Sequence, residues 1–288
     1  MGYGRWTNEE WTRYSEFRIR GRGVQEIYSS RGMQDKYDPA LISTRESRDS
    51  ADHPESTPVI IGLDVTGSMS RILQLVANKL GELVTTVLER NPVPGPQIMF
   101  NAIGDSTCDV APLQVTQFES DIRIARQLTD LWFERGGGGN GFESYPLAWY
   151  FAANRTSTDA WEKRGKKGFL FTMGDDCFPE RIRAGEIRRV FGTEQTEDVS
   201  VRELLKKTQQ KYEVFHLMLM EGGSAAQIDP DRWRDLMGER AITVTDHTRI
   251  PEIIISILET VAGKNKEEII KSWDPQTGDA VRKAIRDL

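Results

Sequence analysis

The sequence predicts an α/β protein built on a doubly wound, mostly parallel six-stranded sheet with helices on both faces. Three observations carry this expectation. Between residues 57 and 262, apolar runs of strand length alternate with segments of helical period, the order that right-handed crossovers produce. The run 58–63 has no polar side chain, which is how a strand buried on both faces of a parallel sheet reads. Three of the core runs are followed by acids, at Asp64, Gly104-Asp105 and Gly174-Asp175-Asp176, where the carboxyl edge of an open sheet binds ligands.

The first run leads into a helix whose apolar residues fall at 72, 76, 80, 83 and 87, the spacing of one buried face. Pro94-Gly95-Pro96 breaks the chain before the second run, 97–103. A weaker strand over 110–115 is interrupted by Pro112 and belongs at an edge. Residues 121–133 are helical, with Ile122, Ala125, Leu128 and Trp132 on one face, and a glycine-rich loop over 136–144 precedes a helix over 146–154. The third buried run is 168–173. Helix 199–210, strand 212–220, helix 231–238, strand 241–245 and a closing helix 251–262 complete the pattern.

That core domain, 57–262, has different flanks. Residues 1–56 form an N-terminal extension and linker in which Arg5, Arg13, Arg18, Arg20 and Arg22 alternate with Trp6, Trp11, Tyr14 and Phe17. Thr7 with Glu10 makes a capping box for a helix over 8–17. This segment reads either as a docking arm or as an extension folded back on the domain. Residues 43–57 are Ser, Arg, Asp, Glu and Pro with almost nothing to bury, the composition of an exposed linker. Residues 263–288, with Trp273 and a charged helix from about residue 278, form a tail whose simplest role is docking on the domain.

Composition narrows the function classes. A chain of 288 residues with 38% hydrophobic and 28% charged content is an ordinary globular protein. A net charge of -6 argues against a nucleic-acid surface. No apolar run is long enough for a membrane span, and the N-terminus has no hydrophobic signal core, so the expected location is the cytoplasm. Two cysteines, Cys108 and Cys177, exclude a disulfide framework.

The chemistry concentrates after the first strand. Asp64 is followed at i+2 and i+4 by the hydroxyls of Thr66 and Ser68 on a tight strand-to-helix turn. Such oxygen ligands suit a hard divalent cation, Mg²⁺ first and Mn²⁺ or Ca²⁺ as alternatives. Only one of the three is charged, so the ion keeps positive character and open coordination positions. A plainer reading of the same residues has Asp64 ending the strand, Gly67 making the turn, and Ser68 or Ser70 capping the helix.

Asp-x-Thr-Gly-Ser after a buried strand resembles the first motif of the von Willebrand factor A (VWA) family, whose metal-ion-dependent adhesion site begins with Asp-x-Ser/Thr-x-Ser. The second family motif is a loop supplying an oxygen ligand before a helix. Loop 136–144 resembles it, with Asn140, Glu143 and Ser144 as candidates in place of the usual Thr. The third is an Asp after the next core strand. Asp175 matches it, Asp176 stands beside it, and Asp105 matches a neighbouring position that reads more simply as a turn acceptor. The resemblance implies a VWA/Rossmann-like fold of the bacterial cytoplasmic type, with a cation held by Asp64, Thr66, Ser68 and Asp175 that bridges to an Asp or Glu of a protein partner. It further implies an adaptor role, with a AAA+ ATPase of the MoxR type as one partner.

Rival classes fit less well. Haloacid dehalogenase-type phosphotransferases need a second Asp at i+2, where Thr66 stands. Loop 136–144 lacks the Gly-Lys-Ser/Thr ending of a P-loop, and His53, His216 and His247 are too scattered for a nucleophilic triad. His216 alternates with apolar neighbours and reads as a satisfied strand residue. The expectation is a non-enzymatic interaction module, the alternative a metal-free scaffold of the same fold.

Overall fold

A computed structural model describes residues 4–134, 141–220 and 228–288. Its strands are β1 (Arg45–Ser47), β2 (Thr57–Asp64), β3 (Pro96–Ile103), β4 (Leu113–Val115), β5 (Thr156–Thr158), β6 (Gly168–Gly174), β7 (Arg181–Ile182), β8 (Val199–Ser200), β9 (Tyr212–Leu219) and β10 (Ala241–Val244). Six of them form the main sheet in the order β10-β9-β6-β2-β3-β4. Every pair in it is parallel except β3 with β4. The fold is the expected α/β class, a mostly parallel six-stranded sheet flanked by helices. Pro112 precedes the one antiparallel strand, which lies at the edge.

All eight residues of β2 are buried, as are all eight of β3. The strand that follows β2 in sequence, β3, lies on one side of it, and β6 lies on the other. The chain therefore reverses its winding direction at the carboxyl end of β2, which opens a crevice there. Helix Ser70–Arg90 leaves that crevice with Ile72, Leu80, Leu83 and Val87 buried, the face its spacing predicts, joined by Leu73, Ala77 and Val84.

The flanks are part of the same body. Helix Asn8–Arg18 carries the expected cap, with the Glu10 N–H donating to Thr7 Oγ1 at 3.2 Å. Trp6, Ile19, Ile27, Tyr28 and Tyr37 are buried in the core layer that includes the β2 side chains Val59 and Ile61. Trp11 seats against Gly81, where an added Cβ would collide with the indole. Of the two sequence readings of this segment, the extension folded back on the domain is the one the structure takes. At the other end, helices Lys266–Lys271 and Pro275–Ile285 bury Ile269, Ile270, Val281 and Ile285 in that layer.

Residues 43–57 differ from the exposed linker that their composition suggests. β1 pairs with β5 in parallel, Ser47 and Ser56 are buried, and Gln97 of β3 accepts from Ser47 Oγ at 2.8 Å. Arg48 bonds Asp159 at 2.9 Å and Glu162 at 2.7 Å, and Arg164 bonds Asp49 at 2.6 Å. A polar segment is thus held by complementary charge, which residue composition does not display. Helices Asp159–Arg164 and Ala184–Phe191 and strand β7 also lie outside the elements read from the sequence, and the first two residues of the helix read over 199–210 are instead β8, paired with β7, the helix running Val201–Thr208.

Candidate functional site

Residues from three separate strand ends converge at the crevice. Asp64 ends β2 and is fully buried. Its Oδ1 accepts from the Thr66 N–H at 2.9 Å and from Thr66 Oγ1 at 2.6 Å, and its Oδ2 accepts from Tyr145 Oη at 2.9 Å. Ser68, exposed at the mouth, donates to Asp175 Oδ1 at 3.2 Å, and its oxygen lies 3.4 Å from Thr66 Oγ1. Helix Ser70–Arg90 begins without a side-chain cap. Neither Ser68 nor Ser70 fills the capping role of the plainer sequence reading; Ser68 faces Thr66 and Asp175 instead.

A hydroxyl has one proton to give. The Thr66 hydroxyl lies on Asp64 and the Ser68 hydroxyl on Asp175, and the two oxygens are 3.4 Å apart, a contact in which either could be the donor. Adjacent oxygens around an octahedral Mg²⁺ lie about 3 Å apart, so the spacings from Thr66 through Ser68 to Asp175 match one side of such a shell. Both oxygens of Asp64 are hydrogen-bonded, Oδ1 to Thr66 and Oδ2 to Tyr145.

The loop candidates fall on the adjoining wall. Glu143 donates its N–H to the Cys177 carbonyl at 2.9 Å, and the Ser144 N–H bonds the Gly104 carbonyl at 3.2 Å, so the segment is stitched between the ends of β6 and β3. Ser144 Oγ accepts from the Ser106 N–H at 2.8 Å. Asp105 accepts from the Thr107 N–H at 2.7 Å, the turn-acceptor role expected of it. Asn140 lies outside the described residues. His216 departs from the satisfied strand residue expected: Nδ1 pairs with Thr172 Oγ1 at 2.9 Å, but Nε2 has no hydrogen-bond partner, and the ring stacks on Trp233 at 3.5 Å.

Two carboxylate oxygens at this wall are buried without a hydrogen-bond partner, Glu143 Oε2 and Asp176 Oδ1. Burial, reinforced by Asp64, Asp105 and Asp176, pushes the Glu143 carboxyl up to about 10. Burial together with Asp175 and Asp105 pushes Asp176 up to about 6. Asp64 is pushed up to about 7 by burial and by Asp175, against the hydrogen bonds of Thr66 and Tyr145. Desolvation and like charge both act against ionisation, and a bound cation would reverse both. Among the described residues no three His, Cys, Asp or Glu side chains form a ready metal cage.

Tyr145 was not legible as a site residue. Its hydroxyl reaches Asp64 because Gly174 at the end of β6 has no side chain; an added Cβ would collide with Tyr145 Oη. Burial and the Asp64 charge raise the phenol well above its ordinary range, so it stays a donor. The available signal was positional: a tyrosine opening the helix after the glycine loop, facing a Gly-Asp strand end.

No family model matches the chain, and no curated protein matches it in sequence. Solved structures match in shape. The pilus adhesin SpaC from Lactobacillus rhamnosus GG, in its open conformation, is 10% identical with a TM-score of 0.48, over 79% of this chain and 31% of that one. Proximal thread matrix protein 1 from the mussel byssus, with a zinc-occupied MIDAS motif, is 13% identical with a TM-score of 0.41, over 76% of this chain and 48% of that one. BatB from Bacteroides thetaiotaomicron, a conserved hypothetical protein, is 16% identical with a TM-score of 0.33, over 57% and 66%. This chain thus spans about a third of the adhesin and about half of the thread protein. The fold class stands on the strand order and register of the chain's own sheet.

Proposed function

We propose that this protein is a non-enzymatic interaction module that holds a divalent cation, Mg²⁺ first, at the crevice and presents it to an acidic side chain of a protein partner. One observation carries the reading: the oxygens of Thr66, Ser68 and Asp175 lie side by side at the crevice, 3.4 Å and 3.2 Å apart, near the spacing of adjacent oxygens around a hard cation. Thr66, Ser68 and Asp175 would contact the ion, and Asp64 would orient Thr66. Glu143 and Asp176, each with a buried oxygen lacking a hydrogen-bond partner, supply the negative surroundings that favour it. The ion would contribute net positive charge and an open position where a partner's Asp or Glu binds. Among the described residues no helix is long and apolar enough to cross a membrane, and we place the protein in the cytoplasm.

Calorimetric titration of Mg²⁺ and Mn²⁺ into EDTA-stripped protein tests this, beside Ser68→Ala and Asp175→Ala variants checked by circular dichroism. One site in the wild type, lost in both variants, supports it; no binding by the folded wild type overturns it. A AAA+ ATPase of the MoxR type is the partner class to try first, by pulldown with and without EDTA. Truncating residues 1–30 would open the core that Trp6, Ile19 and Ile27 help to fill, so surface variants such as Phe17→Ser replace a deletion.

A further inference from the structure

β6 ends at Gly174, and the chain that leaves it, buried as far as Phe178, carries no helix and only an isolated bridge from Cys177 to Phe142. A buried turn of this kind must find partners for its backbone elsewhere in the fold. Helix Pro230–Met237 and its N-cap, Asp229, supply them. Trp233 Nε1 donates to the Asp176 carbonyl at 3.2 Å, Arg232 Nη2 donates to the Phe178 carbonyl at 2.8 Å, and the Asp229 N–H donates to Cys177 Sγ at 3.2 Å. The three residues that follow Asp175 are thus all held from one helix end. The Arg232 guanidinium also lies 4.9 Å from the ring of Phe142 and 4.9 Å from that of Phe178, which ties the wall carrying Glu143 to the same turn.

Trp233 reaches the other half of the crevice as well. It is fully buried, and its indole stacks on the His216 ring at 3.5 Å with 5° between the planes. The Tyr145 ring packs against both, 5.7 Å from Trp233 and 4.8 Å from His216. His216 is fixed in turn by Thr172 Oγ1 at 2.9 Å. Held by this stack, Tyr145 donates to Asp64 at 2.9 Å and accepts from the Asp176 N–H at 3.4 Å.

We infer that Trp233 is a positioning residue of the cation site, holding Tyr145 behind Asp64 and Asp176 beside Asp175 from a single indole. The inference rests on the proposed cation site and adds to it a helix that contributes no ligand. Ionised neighbours such as Asp175 and Asp176 favour a turn that spreads them apart, and the hydrogen bonds from the helix oppose it. Coupling of this kind is reciprocal: if docking of the helix favours the ion, the ion favours docking of the helix.

The test pairs two Trp→Phe variants of one aromatic cluster. Trp149 is also fully buried in the layer of Trp233, 6.3 Å from it, but its Nε1 has no hydrogen-bond partner. Trp233→Phe and Trp149→Phe therefore remove the same atoms from the same layer, and only the first removes a hydrogen bond to the Asp176 turn. Calorimetric titration should show Mg²⁺ binding weakened about tenfold in Trp233→Phe, the range of outer-sphere substitutions, and wild-type affinity in Trp149→Phe. Circular dichroism checks the fold of both. A second measurement needs no variant: exchange of the indole N–H protons of the wild type, followed by NMR in Mg²⁺ and in EDTA, reads local opening. Mg²⁺ should slow exchange at Trp233 more than at Trp273, whose Nε1 bonds Ser256 and whose ring lies against Arg90, at the opposite end of helix Ser70–Arg90 from the crevice. Wild-type Mg²⁺ affinity in folded Trp233→Phe, equal losses in the two variants, or equal slowing at Trp233 and Trp273 would overturn the positioning role and leave the cation site standing. No Mg²⁺ binding by the folded wild type would overturn the cation site, and the coupling with it.

Discussion

Two acidic clusters in this molecule use the same side chains to opposite ends. Around β1, Glu46, Asp49, Asp159 and Glu162 each face a cation of the chain itself: Arg48, Lys163 or Arg164. Partial burial alone would push Asp49 up, but the hydrogen bonds of Arg164 and Ser56 overturn that and hold it well below the usual carboxylate range. Asp159 is likewise lowered, by Lys163, the Asp49 N–H and Arg48 against its burial. At the crevice, Asp64, Glu143 and Asp176 are buried, as Asp159 is, yet all three are raised. The difference is the counter-charge. One cluster is complete within the chain and holds structure together; in the other the carboxylates raise one another, and the proposed ion would supply the counter-charge.

The largest expected effect separates the clusters by readout. Asp175→Ala should weaken Mg²⁺ binding at least ~100-fold, beyond the usual effect of an outer-sphere change, while unfolding in EDTA shows no loss of stability. Loss of fold in EDTA would show that Asp175 is structural. Next, Arg164→Met should cost ~2 kcal/mol of stability by leaving Asp49 short of its partner, a figure reduced from that of fully buried pairs because both groups are partly wet. Urea denaturation should show it, with Mg²⁺ affinity unchanged.

A pH series sharpens the contrast through sign. Asp49 and Asp159 have folded values below the ordinary ~4, so their stabilisation is present above that pH and lost as pH falls through their folded values. Asp64 and Asp176 are raised to about 7 and about 6, so without metal the folded state holds protons that the unfolded chain has released. In EDTA their contribution therefore falls as pH rises from ~4 to those values. Mg²⁺ should cancel the loss, and Mg²⁺ affinity should rise with pH across 6 to 8, because protonating Asp64 and Asp176 removes negative charge beside the proposed ion. Equal pH profiles with and without Mg²⁺ would break the comparison. Smallest, Tyr145→Phe should weaken the cation ~10-fold through Asp64, in the range of outer-sphere substitutions; calorimetry on the folded variant reads it, and unchanged affinity would remove Tyr145 from the site.

How much of this was readable in the sequence follows from the range of each interaction. The strands were legible because burial on both faces forces an unbroken apolar run, and β2 and β3 are buried along their whole length. Asp64, Thr66 and Ser68 were legible because they sit within five residues, and Asp175 because it follows a buried run directly. Tyr145 was not, since its role arises from a glycine 29 positions away on another strand. The β1 segment was misread for a related reason: its acids and bases find partners more than 100 residues distant, as Arg48 does at Asp159, and polarity alone reads as solvent exposure. The aromatic N-terminus left two readings open because Trp11 fits a gap that exists only once Gly81 faces it.

The most direct measurement is a crystal structure grown with Mn²⁺, with anomalous data collected to locate the ion. The account predicts one peak bounded by Thr66 Oγ1, Ser68 Oγ and Asp175, with Asp64 behind Thr66 and still bonded to Tyr145. A well-ordered crevice without a peak, or a peak elsewhere on the molecule, would contradict it.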